Sequence, residues 1–101
     1  MKDSVLAPTF KEDVQRCKAN GREMDALKKI MRIIQAEERL TGRIPMSIEV
    51  GNTLIYLAPV KEDVEVDKDS WMISWIEESE DKVQFHRTGP KETIVEYYVR
   101  L

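Results

Sequence analysis

The chain of 101 residues contains a single cysteine, Cys17, and a single histidine, His86. One cysteine cannot close an intrachain disulfide, which favours a reducing compartment, so a cytoplasmic location is expected. No apolar run approaches the ~18 residues of a membrane helix, and no membrane partner is expected. The opening Met-Lys-Asp-Ser-Val-Leu-Ala-Pro has no apolar core of the kind a secretory signal needs. There is no internal repeat and no low-complexity tract, so solenoids and linkers are excluded. The acidic stretch Lys61–Asp69 holds five acids among nine residues but lacks the glycine turn and ligand spacing of an EF-hand. It reads as a solvated loop.

What is present is a chain 42% apolar and 35% charged, with a net charge of −3. The length suits one domain spanning residues 1–101. An acidic total argues against general affinity for nucleic acid, which normally demands a basic surface. The charge is unevenly spread, however. Through Arg43 there are ten Lys and Arg against seven Asp and Glu, and from Ile44 onward six against twelve. The split fits two readings: a helical half that faces phosphates, or the lysine-rich outer faces that amphipathic helices ordinarily carry.

Hydrophobic periodicity divides the chain at the same place. Val5, Leu6 and Ala7 before Pro8 predict a short first strand. Thr9, with Glu12 three residues on, predicts an N-cap and capping box. Phe10, Val14 and Cys17 then mark one face of a helix over about 10–19, and Lys11, Glu12, Asp13, Gln15, Arg16 and Lys18 occupy the rest. Asn20-Gly21 ends it. Met24, Leu27, Ile30, Met31 and Ile34 predict a second helix over about 23–40, antiparallel to the first. Beyond Arg43 the period becomes two. Ile44, Met46, Ile48 and Val50 form one alternating run, and Leu54–Ala58 form another.

A β-hairpin follows, with arms Trp71–Ile76 and Lys82–Thr88, a polar loop Glu77–Asp81, and Gly89-Pro90 as its stop. The tail Glu92–Leu101 fits a short helix after Pro90. Helices followed by strands indicate an α+β domain: an N-terminal strand and a helical hairpin packed on an antiparallel sheet of three to four strands.

Along a regular strand, residues 83, 85 and 87 share one face and 84, 86 and 88 the other. That places His86 opposite Arg87, as a surface histidine. Trp71 and Trp75 share a face, which suits core packing or base stacking. Arg87 is open to two uses, an ion pair with an acid such as Glu92 or a bidentate grip on phosphate. Cys17, on the apolar face of its helix, is expected to be buried rather than reactive.

Two blocks resemble the RelE/ParE superfamily of small bacterial toxins, and its YafQ-like branch most closely. FKEDVQRCKANGREMDALKKIMRII, residues 10–34, is similar to the family's helical hairpin. DSWMISWIEESEDKVQFHRTG, residues 69–89, is similar to its aspartate–tryptophan strand, charged turn and arginine–threonine–glycine strand. The resemblance implies a RelE-like fold and the toxin of a type II toxin–antitoxin pair. It also implies a cognate antitoxin as partner, the ribosome and mRNA as targets, and metal-free cleavage of mRNA with no cofactor.

Carried over by residue, Arg87 falls on the family's phosphate-clamping arginine and Trp71 on its tryptophan, with Thr88 beside the clamp as a second substrate contact. Asp69 stands one position from the family's aspartate, and Lys91 stands where a histidine is expected. The two mid-chain histidines are missing, with Gly51, Asn52, Asp63 and Glu65 near their places. These departures keep two other readings open: a relative without catalysis that binds a protein partner, and a phage or mobile-element interaction module whose sheet edge docks a partner.

Overall fold

In the computed structural model, which describes residues 1–101, the alternating and helical runs become eight elements. They are β1 Asp3–Leu6, α1 Pro8–Ala19, α2 Met24–Gln35, β2 Met46–Val50, β3 Thr53–Pro59, β4 Trp71–Ser79, β5 Lys82–Pro90 and α3 Lys91–Val99. The order is the expected one, and residues 61–69 form a loop. The sheet has five strands in the order β1-β5-β4-β3-β2 and is mixed: β1 runs parallel to β5, and the other pairs are antiparallel.

Both sheet faces are covered. On one face α1 and α2 bury Phe10, Cys17, Leu27 and Ile30 against Trp71, Ile73, Trp75, Val83 and Phe85. On the other, α3 lays Ile94 and Tyr98 against Ile55, Leu57 and Met72. Two-sided burial explains the unbroken run Trp71–Ile76, since a strand covered on both faces has no need to alternate. Apolar area removed from water is the dominant favourable contribution to such packing.

Three boundaries differ from expectation. Thr9 does not cap α1. Ala7 is the N-cap and Pro8 opens the helix, where its missing N–H costs nothing. The Thr9 hydroxyl instead donates to the His86 carbonyl at 2.9 Å, so no capping box forms. Helix α2 stops at Gln35, five residues short of Leu40. Glu37 takes φ +58, its N–H bonds to Ile34 O, and the Glu38 N–H bonds to Ile33 O. This is a Schellman stop, formed here without glycine at the left-handed position. Finally, the hairpin loop shortens to Glu80-Asp81, because β4 continues through Ser79.

Candidate functional site

The site is built at the end of β5. Strand β1 pairs with β5 only as far as Leu6–Phe85, which leaves the second half of β5, residues 86–90, with an open edge. The start of α1 closes that edge. The Ala7 N–H bonds to Phe85 O at 3.0 Å, Thr9 takes the His86 carbonyl, and the Asp13 carboxylate accepts the Thr88 N–H at 3.2 Å. An uncovered strand edge is a liability in any sheet, and here a helix answers it.

Asp13 is the centre of the arrangement, and it is 1% exposed. Its Oδ2 accepts from Arg87 Nε at 2.6 Å and its Oδ1 from Arg87 Nη2 at 2.9 Å. Arg16 Nη1 adds a third contact at 3.0 Å from a largely exposed side chain. The Arg87 guanidinium lies over the Tyr97 ring, 4.3 Å from its centroid, so a carboxylate holds it in plane and an aromatic face holds it from above. The hydrogen bonds that Arg87 donates to Asp13 raise the Arg87 pKa, against the opposing effect of burial. Nη1 has no protein partner and is not buried. Two guanidiniums around one carboxylate leave a local surplus of positive charge. The partner of Arg87 is thus Asp13 rather than Glu92.

A bulge breaks the expected alternation at His86. Ser74 pairs with Arg87 but Trp75 pairs with Phe85, so His86 has no partner on β4 and the side-chain parity resets. His86 and Arg87 thereby come to the same side, toward α3, and Thr88 turns toward the α1–α2 face. His86 is half-buried rather than a surface residue. Its Nδ1 lies 2.6 Å from the Tyr98 hydroxyl, and its ring stacks on Tyr98 at 5.6 Å and 21°. Burial, reinforced by the Arg87 charge, pushes its pKa down. The buried Tyr98 phenol is pushed up to about 12, chiefly by desolvation, and lies 2.6 Å from Ser74 Oγ.

Trp71 and Thr88, expected to bind substrate, are inside, at 6% and 3% exposure. The Trp71 indole N–H donates to Thr88 Oγ1 at 2.9 Å, and the Thr88 hydroxyl donates to Met72 O at 2.8 Å. Trp71 packs in the core under α1 and α2 and reaches the surface only at a cavity that it lines with Arg22 and Lys61. The Arg22 guanidinium sits 5.3 Å from the Trp71 ring centroid. The start of α3 lies against the loop that carries Asp69: the Lys91 N–H bonds to Ser70 O and the Glu92 N–H to Lys68 O, supplying acceptors to the first turn of α3. Asp69 is exposed and its N–H bonds to Asp67. The side-chain hydrogen bonds of Arg87 go to Asp13, and none joins it to Lys91 or Asp69. No group of three or more His, Cys, Asp or Glu side chains is placed to hold a metal ion. Cys17 is buried, and desolvation raises its pKa.

The helical pattern of the sequence places Asp13 on the polar side of α1, whereas the fold buries it. Its spacing from Phe10 and Cys17, three and four residues, is the one signal that it shares their face.

No family model and no curated protein matches the chain. Solved structures do. A metal-bound toxin from Helicobacter pylori is 16% identical with a TM-score of 0.76, the match covering 93% of this chain and 99% of that one. YafQ from E. coli is 18% identical with a TM-score of 0.71, covering 93% and 98%. YafQ in an E. coli DinJ–YafQ complex is 19% identical with a TM-score of 0.75, covering 93% and 98%. At such identities the likeness is one of fold, and it runs the length of both chains: this protein has the RelE-like fold of the YafQ toxins.

Proposed function

We propose that this protein is the toxin of a type II toxin–antitoxin pair, restrained by a cognate antitoxin and acting, when free, as a ribosome-dependent endonuclease on mRNA. The observation that carries the reading is Arg87, fixed by Asp13 and Tyr97 with Nη1 left open at the surface. A guanidinium already immobilised loses little freedom when it meets a phosphate, and charge developing on the phosphoryl oxygens strengthens that contact in the transition state. In this reading the 2′-oxygen attacks the adjacent phosphorus, the 5′-oxygen leaves, and Arg87 holds the phosphate between them. Lys91 and Asp69, at the entrance to α3, are further candidates for proton transfer. The complex named for the E. coli relative supports an antitoxin as partner.

The test is induced expression of the wild type, Arg87→Ala and Arg87→Lys, with growth and mRNA 5′ ends followed. Growth arrest with new 5′ ends in the wild type, lost in both variants, is expected. Normal growth and intact mRNA in the wild type would remove the nuclease reading.

A second reading rests on the same ion pair. Asp13 already neutralises most of what Arg87 offers, and α3 covers the second sheet face. A chain of this kind keeps the fold and a protein-binding surface without cleaving RNA. Its signature is a stable antitoxin complex together with unimpaired growth.

A further inference from the structure

The bulge leaves His86 in an arrangement that the phosphate clamp does not use. His86 Nδ1 contacts Tyr98 Oη, and Tyr98 Oη contacts Ser74 Oγ, each at 2.6 Å. Ser74 Oγ accepts the Arg87 N–H at 3.0 Å and lies 3.4 Å from the Arg87 carbonyl. One polarity makes every contact a hydrogen bond. His86 Nδ1–H donates to Tyr98, the Tyr98 hydroxyl donates to Ser74, and the Ser74 hydroxyl donates to the Arg87 carbonyl while accepting the Arg87 amide. A serine oxygen has one proton and two lone pairs, and this polarity fills all three. The reverse polarity spends the Ser74 proton on Tyr98 and leaves the Arg87 carbonyl contact unmade. With its proton on Nδ1, the neutral imidazole carries a bare lone pair on Nε2. Nε2 has no protein partner and is not buried.

We propose that His86 is the general base of this site, its Nε2 taking the proton from the ribose 2′-hydroxyl next to the phosphate held by Arg87, with Tyr98 as the positioning residue. This rests on the RNA-cleaving reading and names its base. The placement is suitable because Tyr97 joins the two groups: its ring lies 6.1 Å from the His86 ring and 4.3 Å from the Arg87 guanidinium carbon. Both groups border the same ring, where a phosphate and the ribose hydroxyl beside it can be met together. The step balances without a co-reactant. The 2′-oxygen–phosphorus bond forms, the phosphorus–5′-oxygen bond breaks, and the 2′ proton passes to Nε2. The 5′-oxygen takes a proton from solvent, and the imidazolium returns its own to solvent. The products are a 2′,3′-cyclic phosphate and a 5′-hydroxyl.

The charged and titratable groups around the imidazole are Arg87 on its own strand, Asp13 from α1, and Tyr97 and Tyr98 from α3. Burial and Arg87 together keep the ring neutral, which a base at neutral pH requires.

Because His86 is the only histidine, 15N-histidine labelling of the whole chain reports one imidazole. Protonated Nδ1 and bare Nε2 near pH 7, with the tautomer preference lost in Tyr98→Phe, are expected. A proton on Nε2 in the wild type overturns the proposal. Cleavage of mRNA on programmed ribosomes by the purified protein is the second arm, with His86→Asn chosen to keep a donor toward Tyr98. Cleavage reduced about 10²–10⁴-fold at an unchanged thermal midpoint, with the acidic limb of the wild-type pH profile below pH 6.5, supports it. Equal cleavage by wild type and His86→Asn overturns the proposal and leaves the RNA-cleaving reading standing. No cleavage by the wild type overturns both.

Discussion

Replacing Asp13 with alanine tests the structural centre of the site independently of any activity. The substitution removes both acceptors of the Arg87 fork and leaves a guanidinium whose side chain is 12% exposed without its partner. Breaking a buried pair from one side costs about 3–5 kcal/mol. The Thr88 N–H, also buried, loses its acceptor, for about 1 kcal/mol more. The contact to Arg16 adds almost nothing, because that side chain is 63% exposed. A total of about 4–6 kcal/mol is a large share of the ~5–15 kcal/mol that stabilises a domain.

With a urea m-value of about 2 kcal/mol/M, the midpoint should fall by roughly 2–3 M. Equilibrium urea unfolding followed by tryptophan fluorescence measures this directly, since Trp71 bonds to Thr88 beside the substitution. Asp13→Ala/Arg87→Met, which removes both charges, should recover part of the loss, because what is costly is the unpaired charge. A midpoint within about 0.5 M of wild type in Asp13→Ala, about 1 kcal/mol at that slope, would refute the idea that this carboxylate holds the β5 edge and Arg87 in place.

Further outcomes follow from the same geometry. His86 has a folded pKa below its unfolded value, so the unfolded chain binds more protons just below pH 6.5. Stability should therefore be full above about pH 6.5 and decline as pH falls toward the folded value, and this slope should disappear in His86→Asn. Tyr98, raised to about 12, should ionise well above a free phenol in a phenolate absorbance titration that compares wild type with Tyr98→Phe, and its contribution should be lost as pH climbs from about 10 toward 12. Glu37→Gly relieves a left-handed residue at the end of α2, worth up to about 1 kcal/mol, but takes from the buried Lys2 ammonium its nearest carboxylate and leaves Glu77 at 4.0 Å. In chemical denaturation the gain is expected in Lys2→Met/Glu37→Gly and not in Glu37→Gly alone. Trp71→Phe should cost about 1–3 kcal/mol by leaving the Thr88 hydroxyl one partner short.

Local pattern was enough to read the order of elements. The αα-hairpin, the two early strands, the β4–β5 hairpin and a tail helix after Pro90 each follow from a period of 3.6 or 2 and from punctuation by glycine and proline. The resemblance carried by Arg87-Thr88-Gly89 put Arg87 forward as a candidate. The remainder depends on contacts between residues far apart in sequence. Asp13 and Arg87 are separated by 74 positions, and no local signal pairs them. The parallel addition of β1 to the edge of β5, and the cover that α3 gives the second face, are packing outcomes of the same kind. Glu37 accepts a left-handed conformation because the Schellman bonds fix the end of α2 there, which propensity alone would not choose.

The bulge at His86 separates the two levels of information most clearly. From sequence, strict alternation sends His86 and Arg87 to opposite faces. In the folded chain, one unpaired residue between Phe85 and Arg87 resets the parity and brings both side chains against α3. Sequence by itself determined which residue types stand at the end of β5. Only the tertiary structure decided which of them meet, because a bulge is chosen by the register of two strands and by the helix that closes the open edge, not by the residues of one strand.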